Sequence, residues 1–201
     1  MRSLRQGICL AAIACAFVAN DRARAIAQEQ TPVCGGDDIA RGTVAQVGDG
    51  RTFTLAEGRE VRLAGIEVPL PPSFGKSNQA SAAAAAAVAA KNALDALAGG
   101  DTVMLRRADI ASDRYGRMVA YAYTERDGDE LFVQGEMIAA GVARVGDQVG
   151  SRNCAAALLA RESAARKAKL GLWADPYYDL IDADTAADVL AHKGQFALVE
   201  G

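Results

Sequence analysis

The sequence predicts a β-rich α+β domain in which five strands close a barrel and about three helices pack against it. Three observations predict this fold. Short alternating segments are separated by turn residues, an alanine-rich segment lies between the third and fourth of them, and two more helical segments follow the fifth. Alternation is typical of strands that face a core on one side, and alanine has the highest helix propensity.

The predicted strands are short and are joined by recognisable turns. Asp49-Gly50 is a hairpin-turn signal between the first two. A meander of three strands, a helix and two further strands is the element order of an OB-fold. The five strands are predicted at Arg41–Val47, Thr52–Leu55, Glu60–Ile66, Asp101–Arg106 and Arg117–Thr124. A short sixth strand, Leu131–Val133, follows the fifth and extends the last hairpin.

Three helices are predicted at Ala80–Ala98, Gln134–Ala140 and Ser151–Leu170. The alanine-rich first helix is expected to present a small face that packs closely on the barrel, and Ser151 is a candidate N-cap of the last. The tail adds a short helix near Thr185–His192 and a strand-like segment, Gln195–Val199. An unpaired strand is an edge liability, so this one is expected to pair with the barrel, to pair with a partner, or to begin a truncated second module.

The first 25 residues have the pattern of a secretory signal. Arg2 and Arg5 precede a short apolar run, and Ala23-Arg24-Ala25 is a small-x-small cleavage pattern. The expected organisation is a signal peptide at 1–25, an arm at 26–40, the barrel domain at 41–174 and a tail at 175–201. The protein is expected to be periplasmic or secreted, and lipid attachment at Cys15 is the less favoured alternative. After signal removal, no segment has the roughly 20 apolar residues needed to span a bilayer.

Charge and cysteines limit the function further. Removing residues 1–25 takes away four of the 22 Lys and Arg and one of the 25 Asp and Glu, which leaves a formal charge of −6. Because nucleic-acid affinity depends on cations that neutralise phosphates, an acidic chain argues against tight non-specific binding. Cys34 and Cys154 remain after signal removal, and two cysteines in an exported chain predict one disulfide, with two free thiols as the alternative.

Five segments together resemble the thermonuclease, or staphylococcal-nuclease-like, family, and they cover about 130 residues. They occur in the family's order: Gly42-Thr-Val-x-x-Val-x-Asp49-Gly50-x-Thr52, Val61-Arg62-Leu63-x-x-Ile66-x-x-Pro69, Asp113-Arg114-Tyr115-Gly116-Arg117, Gly141-Val-Ala-Arg144-Val145 and Gly171-Leu172-Trp173. The resemblance implies the OB-fold. It also implies calcium-dependent phosphodiester hydrolysis of DNA and RNA, in which two arginines hold the phosphate.

The residues that carry this chemistry match only in part. By resemblance, Arg62 and Arg117 are the two catalytic arginines, and Asp49 and Glu67 fall at acidic metal positions. Arg51, however, stands at a ligand aspartate, and Leu70 stands at the glutamate that orients the attacking water. At an effective dielectric near 20, like charges about 4 Å apart repel by roughly 4 kcal/mol, so calcium is disfavoured. The sequence therefore predicts reduced or lost nuclease activity and leaves open whether the protein is an enzyme.

An alternative arrangement follows from the same residues. Arg51, Arg62 and Arg117 are hypothesised to surround a small pocket in which Glu67 pairs with one of them. With Tyr115 they would bind phosphate or another anion without calcium. The expected partner is single-stranded nucleic acid or a small phosphate-containing ligand. Two rival interpretations are an active nuclease with an altered metal site built on Asp49 and Glu67, and a non-catalytic envelope interaction module.

Overall fold

The computed structural model describes residues 34–70, 78–193 and 197–201. The ten strands in these ranges are β1 Asp38–Asp49, β2 Thr52–Leu55, β3 Glu60–Leu63, β4 Ile66–Glu67, β5 Thr102–Ser112, β6 Met118–Arg126, β7 Asp129–Phe132, β8 Arg144–Val145, β9 Leu180–Asp182 and β10 Leu198–Glu200. The four helices in the same ranges are α1 Asn78–Ala98, α2 Val133–Ala139, α3 Arg152–Lys167 and α4 Ala186–Ala191. The predicted signal peptide and most of the arm lie outside the described residues.

Five strands close the predicted barrel. The main sheet has the order β3-β2-β1-β5-β6-β7, and β3 also pairs in parallel with β6, which joins the two ends of the five-stranded part. Alternating residues of these strands fill the interior, and the most buried include Val44, Phe53, Leu63, Val103 and Leu105. The prediction of an OB-fold with about three helices is confirmed, since α1, α2 and α3 have seven or more residues.

Helix α1 packs closely on the first hairpin, as its alanine-rich sequence predicts. A Cβ added to Gly50 in the β1–β2 turn would lie 2.5 Å from Cβ of Ala90. Residue 50 therefore has no room for a Cβ as long as residue 90 carries one. Leu94 of the same helix is fully buried in the barrel core.

Two predicted boundaries are wrong for local reasons. The third strand does not run to Ile66, because a turn at Ala64-Gly65 interrupts it after Leu63 and Gly65 has a positive φ of 72°. The last predicted helix does not reach Leu170, because Lys169 adopts a φ of 53° and the Leu170 N–H donates back to the Ala165 carbonyl. A third boundary also differs, because the strand predicted at Asp101–Arg106 continues as β5 to Ser112.

The predicted disulfide is present between Cys34 and Cys154. It joins the residue just ahead of the barrel to the first turn of α3, over a sequence separation of 120. Both cysteines are buried. Ser151 caps α3 as predicted, because its hydroxyl accepts the Cys154 N–H. The disulfide and the cap thus fix the same helix end.

The tail strand β10 pairs in parallel with β9 of the same tail, so it does not pair with the barrel. Leu198 of β10 packs against a second apolar cluster that contains Leu172, Trp173 and Tyr178. Arg166 of α3 stacks on Trp173, with its guanidinium carbon 4.6 Å from the ring centroid, and also pairs with Glu200. Across the described ranges, no helix has the length and apolar character needed to cross a bilayer.

Candidate functional site

The turn between β1 and β2 places Arg51 at the rim of the barrel. Oδ1 of Asp49 accepts the backbone N–H of Arg51 at 2.8 Å. This is the local hydrogen bond by which aspartate commonly stabilises a turn. The Asp49 carboxylate therefore has a structural partner within its own turn.

Glu67 reaches the same region from the neighbouring strand β4. Gly65 turns the chain after β3, and β4 then pairs with β8, so that Glu67 lies opposite Arg144. Ile66 is buried beneath this pair, whereas Glu67 is only partly buried. The short strand thus anchors Glu67 through an apolar neighbour and a backbone ladder.

Arg51, Arg62 and Glu67 form one ion-paired cluster, the arginine–glutamate cluster. Oε2 of Glu67 pairs with Nη1 of Arg51, and Oε1 accepts from Nη2 of Arg62 at 3.2 Å. The three side chains are 14%, 26% and 31% exposed for Arg51, Arg62 and Glu67. The two cations share a single carboxylate, so the cluster carries a net positive charge in a partly desolvated position.

Arg62 keeps donors that the cluster does not use. Its Nε is buried and has no hydrogen-bond partner among the described residues, and neither has the hydroxyl of Thr52, which lies opposite Arg62 in the β2–β3 register. Buried polar atoms usually have partners. These two groups are therefore unsatisfied beside the cluster, and both atoms are closed to solvent.

Arg117 is held by a separate carboxylate. Its Nε and Nη2 lie 2.8 and 2.7 Å from Oδ2 of Asp113, whose Oδ1 accepts the backbone N–H groups of Tyr115 and Arg117. Burial alone would raise the pKa of Asp113, but the hydrogen bonds from Arg117 and from the backbone outweigh it and hold that pKa below its usual value. Asp113 therefore positions both the turn and the guanidinium as an ionised group.

Tyr115 extends from this turn into solvent, and its side chain is 66% exposed. The guanidinium carbons of Arg114 and Arg117 lie 4.7 and 5.1 Å from its ring centroid. Arg114 also donates to its hydroxyl at 2.6 Å. The predicted binding role of Tyr115 stays a prediction; the ring is accessible and flanked by cations.

A cavity of about 220 Å³ opens beside the arginine–glutamate cluster. Arg62 and Glu67 line it, but Arg51 and Arg117 do not. This cavity has Arg62 as its arginine, and the hypothesis of one pocket surrounded by three arginines stays a prediction. Arg51 and Arg62 are brought together by Glu67, which pairs with both rather than with one, whereas Arg117 is paired with Asp113 before β6 begins.

The residues at this site do not fit a calcium ion of the kind the fold implies. Calcium takes six to eight oxygen ligands. Here Asp49 stabilises its turn, Glu67 is paired with two arginines, and Leu70 is apolar and half exposed. In the described part of the chain, no group of three or more His, Cys, Asp or Glu side chains is arranged to hold a metal.

A comparison with protein-family models matches residues 60–175 to the staphylococcal nuclease homologue family. The chain belongs to this family. The match begins at β3 and ends after Trp173, so it includes Arg62, Glu67 and Arg117, and the resemblance inferred from the sequence motifs is confirmed. Among curated proteins, no significant match is found.

Glu162 contributes to this nuclease-family site from a distance, and sequence reasoning missed it. It is a buried glutamate of α3 whose carboxylate accepts the Val145 N–H and pairs with Arg166. Val145 belongs to β8, the strand that pairs with β4 and so anchors Glu67. The available signal was spacing, since Leu158, Glu162 and Ala165 lie on one helix face.

Proposed function

We propose that the protein is an exported member of the staphylococcal nuclease family that binds phosphate groups without calcium and has little or no phosphodiesterase activity. The observation that carries this proposal is the arginine–glutamate cluster. By resemblance Arg51 stands at a ligand aspartate of the family, and Arg51 and Arg62 share the single carboxylate of Glu67. The cluster has the charge to attract an anion and lacks the charge to attract a divalent cation.

Guanidinium chemistry supports phosphate as the ligand. An arginine side chain stays charged and presents a planar fork of donors that matches phosphate oxygens. Arg62 is the favoured direct contact, because it lines the cavity and, among the described residues, its guanidinium donates only to Glu67, through Nη2. Arg51 then supplies charge from behind Glu67, while Arg117 and Tyr115 offer a second contact on the outer rim.

The overall charge favours a small or short ligand over a long polyanion. The chain carries a formal charge of −3, which becomes −6 once the predicted signal peptide is removed. Long nucleic acids would be repelled by that field. A phosphate ester or a short single-stranded oligonucleotide meets the local cations with less of that repulsion.

Export is supported by two independent features. The N-terminal signal pattern of residues 1–25 lies outside the described residues, and the Cys34–Cys154 disulfide is of a kind that persists in oxidising compartments. The proposed location is the periplasm or the extracellular medium.

The test is calorimetric titration of the purified protein with inorganic phosphate and with a short single-stranded oligonucleotide while calcium is chelated. We expect saturable binding that Arg62→Ala weakens by at least tenfold. Arg59→Ala is the matched control, because Arg59 is an exposed arginine that does not line the cavity. Absence of heat at millimolar ligand would refute the proposal.

A nuclease assay distinguishes the rival functions. Single-stranded DNA and RNA are incubated with and without calcium, and cleavage products are measured. Metal-dependent cleavage that Arg117→Ala abolishes would replace this proposal with an active phosphodiesterase. If the protein neither cleaves nor binds these nucleic acids, an interaction module that keeps only the fold is favoured.

A further inference from the structure

We propose that the cavity beside Arg62 binds a small phosphate ester that also carries an ammonium group. This inference rests on the proposed phosphate-binding function and specifies its ligand. Four charged side chains line the cavity of about 220 Å³, and they are Arg62, Glu67, Asp109 and Asp147. The lining thus offers a guanidinium and two carboxylates that the arginine–glutamate cluster does not use.

Asp109 and Asp147 come from different parts of the barrel. Asp109 lies in the second half of β5, and Asp147 follows β8. Neither forms an ion pair or hydrogen bond with another residue in the described ranges through its carboxylate. Oδ1 of Asp109 would lie 2.7 Å from a Cβ added to Gly150, so the loop after β8 passes directly over this side chain.

Asp109 is exposed, and the loop after β8 passes over one side of its carboxylate. The nearby Tyr121 hydroxyl accepts the Gly150 N–H at 3.3 Å. Burial raises the pKa of Tyr121, and the Asp109 carboxylate raises it further. A carboxylate that lines a cavity and has no ion pair among the described residues is able to bind an ammonium group brought by a ligand.

The balance of charge selects the class of ligand. Three carboxylates and one guanidinium line the cavity, so a bare phosphate gains at Arg62 but is repelled by Asp109 and Asp147. A lone amine gains at the carboxylates but leaves Arg62 unused. A phosphate ester with an ammonium group can pair with both kinds of side chain, and it brings about one negative charge less than the bare phosphate ester.

The remaining lining accommodates a short carbon spacer. Ile110, Val119 and Val149 present apolar surface in the same cavity. Two or three methylene groups between phosphate and ammonium would contact this surface. A free phosphoethanolamine-like ester and a lipid headgroup share this chemistry, and experiment can separate the two sources.

The experiment titrates the full chain, with calcium chelated and ionic strength fixed, with inorganic phosphate, ethyl phosphate and O-phosphoethanolamine. We expect O-phosphoethanolamine to bind about tenfold more tightly than ethyl phosphate, a difference of about 1.4 kcal/mol. Asp147→Asn should reduce that ratio to less than about threefold while leaving or improving ethyl phosphate binding. Asp147 is exposed, so this variant is expected to fold.

Asp37→Asn is the matched control, since Asp37 is an exposed carboxylate outside the cavity lining and should leave the ratio unchanged. Equal affinity for ethyl phosphate and O-phosphoethanolamine overturns the ammonium inference and leaves phosphate binding standing. If none of the three compounds binds, the proposed function fails and this inference fails with it.

Vesicles distinguish the two sources of the ligand. Co-sedimentation with phosphatidylethanolamine vesicles assigns the site to a lipid headgroup, and binding of the free ester alone assigns it to a small metabolite; both results support the shared chemistry. Preference for phosphatidylglycerol, which lacks the ammonium group, overturns it.

Discussion

Glu67 competes with any anion for the two arginines it joins, and Glu67→Gln should therefore tighten phosphate binding. In the folded protein one carboxylate is shared by Arg51 and Arg62, and its side chain is 31% exposed. If a bound phosphate lies about 8 Å from the Glu67 carboxylate, removing that unit charge changes the binding energy by about 2 kcal/mol at an effective dielectric near 20. Partial exposure and salt reduce this to about 1 kcal/mol, or roughly a fivefold gain in affinity.

The same substitution should lower the thermal stability, because two adjacent guanidinium groups lose their counter-charge. Calorimetric titration with phosphate in chelator measures the affinity, and the gain should shrink as salt is raised. Glu60→Gln is the control, since Glu60 is an exposed carboxylate on β3 without an ion pair among the described residues. If the Glu67→Gln variant folds but binds phosphate no more tightly than the native chain, Glu67 does not occlude the site and the reasoning is wrong.

Three further outcomes follow from the structure. Calcium should leave the melting temperature unchanged, because we expect it not to bind, and only a ligand that binds the native state raises that temperature. A rise at millimolar calcium would contradict our account of the site. Reduction of the Cys34–Cys154 disulfide should destabilise the protein by up to about 4–5 kcal/mol, as measured by chemical denaturation, since a long loop is released; an unchanged midpoint would show that the bond contributes little. Gly50→Ala should cost about 1–3 kcal/mol through overpacking against Ala90, and Ala90→Gly should recover part of that loss; a variant as stable as the native chain would show that the contact can relax.

The barrel was predictable because alternation is a local property of the chain. Thr52–Leu55 was placed correctly by its pattern alone. The end of β3 was not, because Ala64 and Gly65 are small residues that fit either a strand or a turn, and the pairing of β4 with β8 just beyond them joins segments that are far apart in the sequence. The extension of β5 to Ser112 lacks alternation, since most of its last residues are exposed.

The site was predictable only as far as the family resemblance reaches. The resemblance predicted that Arg51, Arg62 and Glu67 lie in one region. The sharing of Glu67 between two arginines depends on side-chain geometry, which the sequence does not give. Asp109 and Asp147 are brought to one cavity by the folded barrel and the loop after β8. No local pattern in the sequence marks that juxtaposition.

The difference between this site and a calcium site is one of charge, and two substitutions should reverse it. At present Arg51 and Arg62 balance Asp49 and Glu67. Arg51→Asp with Leu70→Glu would leave Arg62 as the one cation among these positions, against four carboxylates. Glu67 would lose one of its two partners, and Leu70 is half exposed, so a charged residue there costs little burial.

We expect calcium to raise the melting temperature of the double variant and not that of the native chain. The single variant Leu70→Glu is the control, because it adds a carboxylate while leaving the Arg51 cation in place. If the folded double variant remains insensitive to calcium, the obstacle to metal binding lies in the backbone geometry of the β1–β2 turn and of β4 rather than in the charge of Arg51.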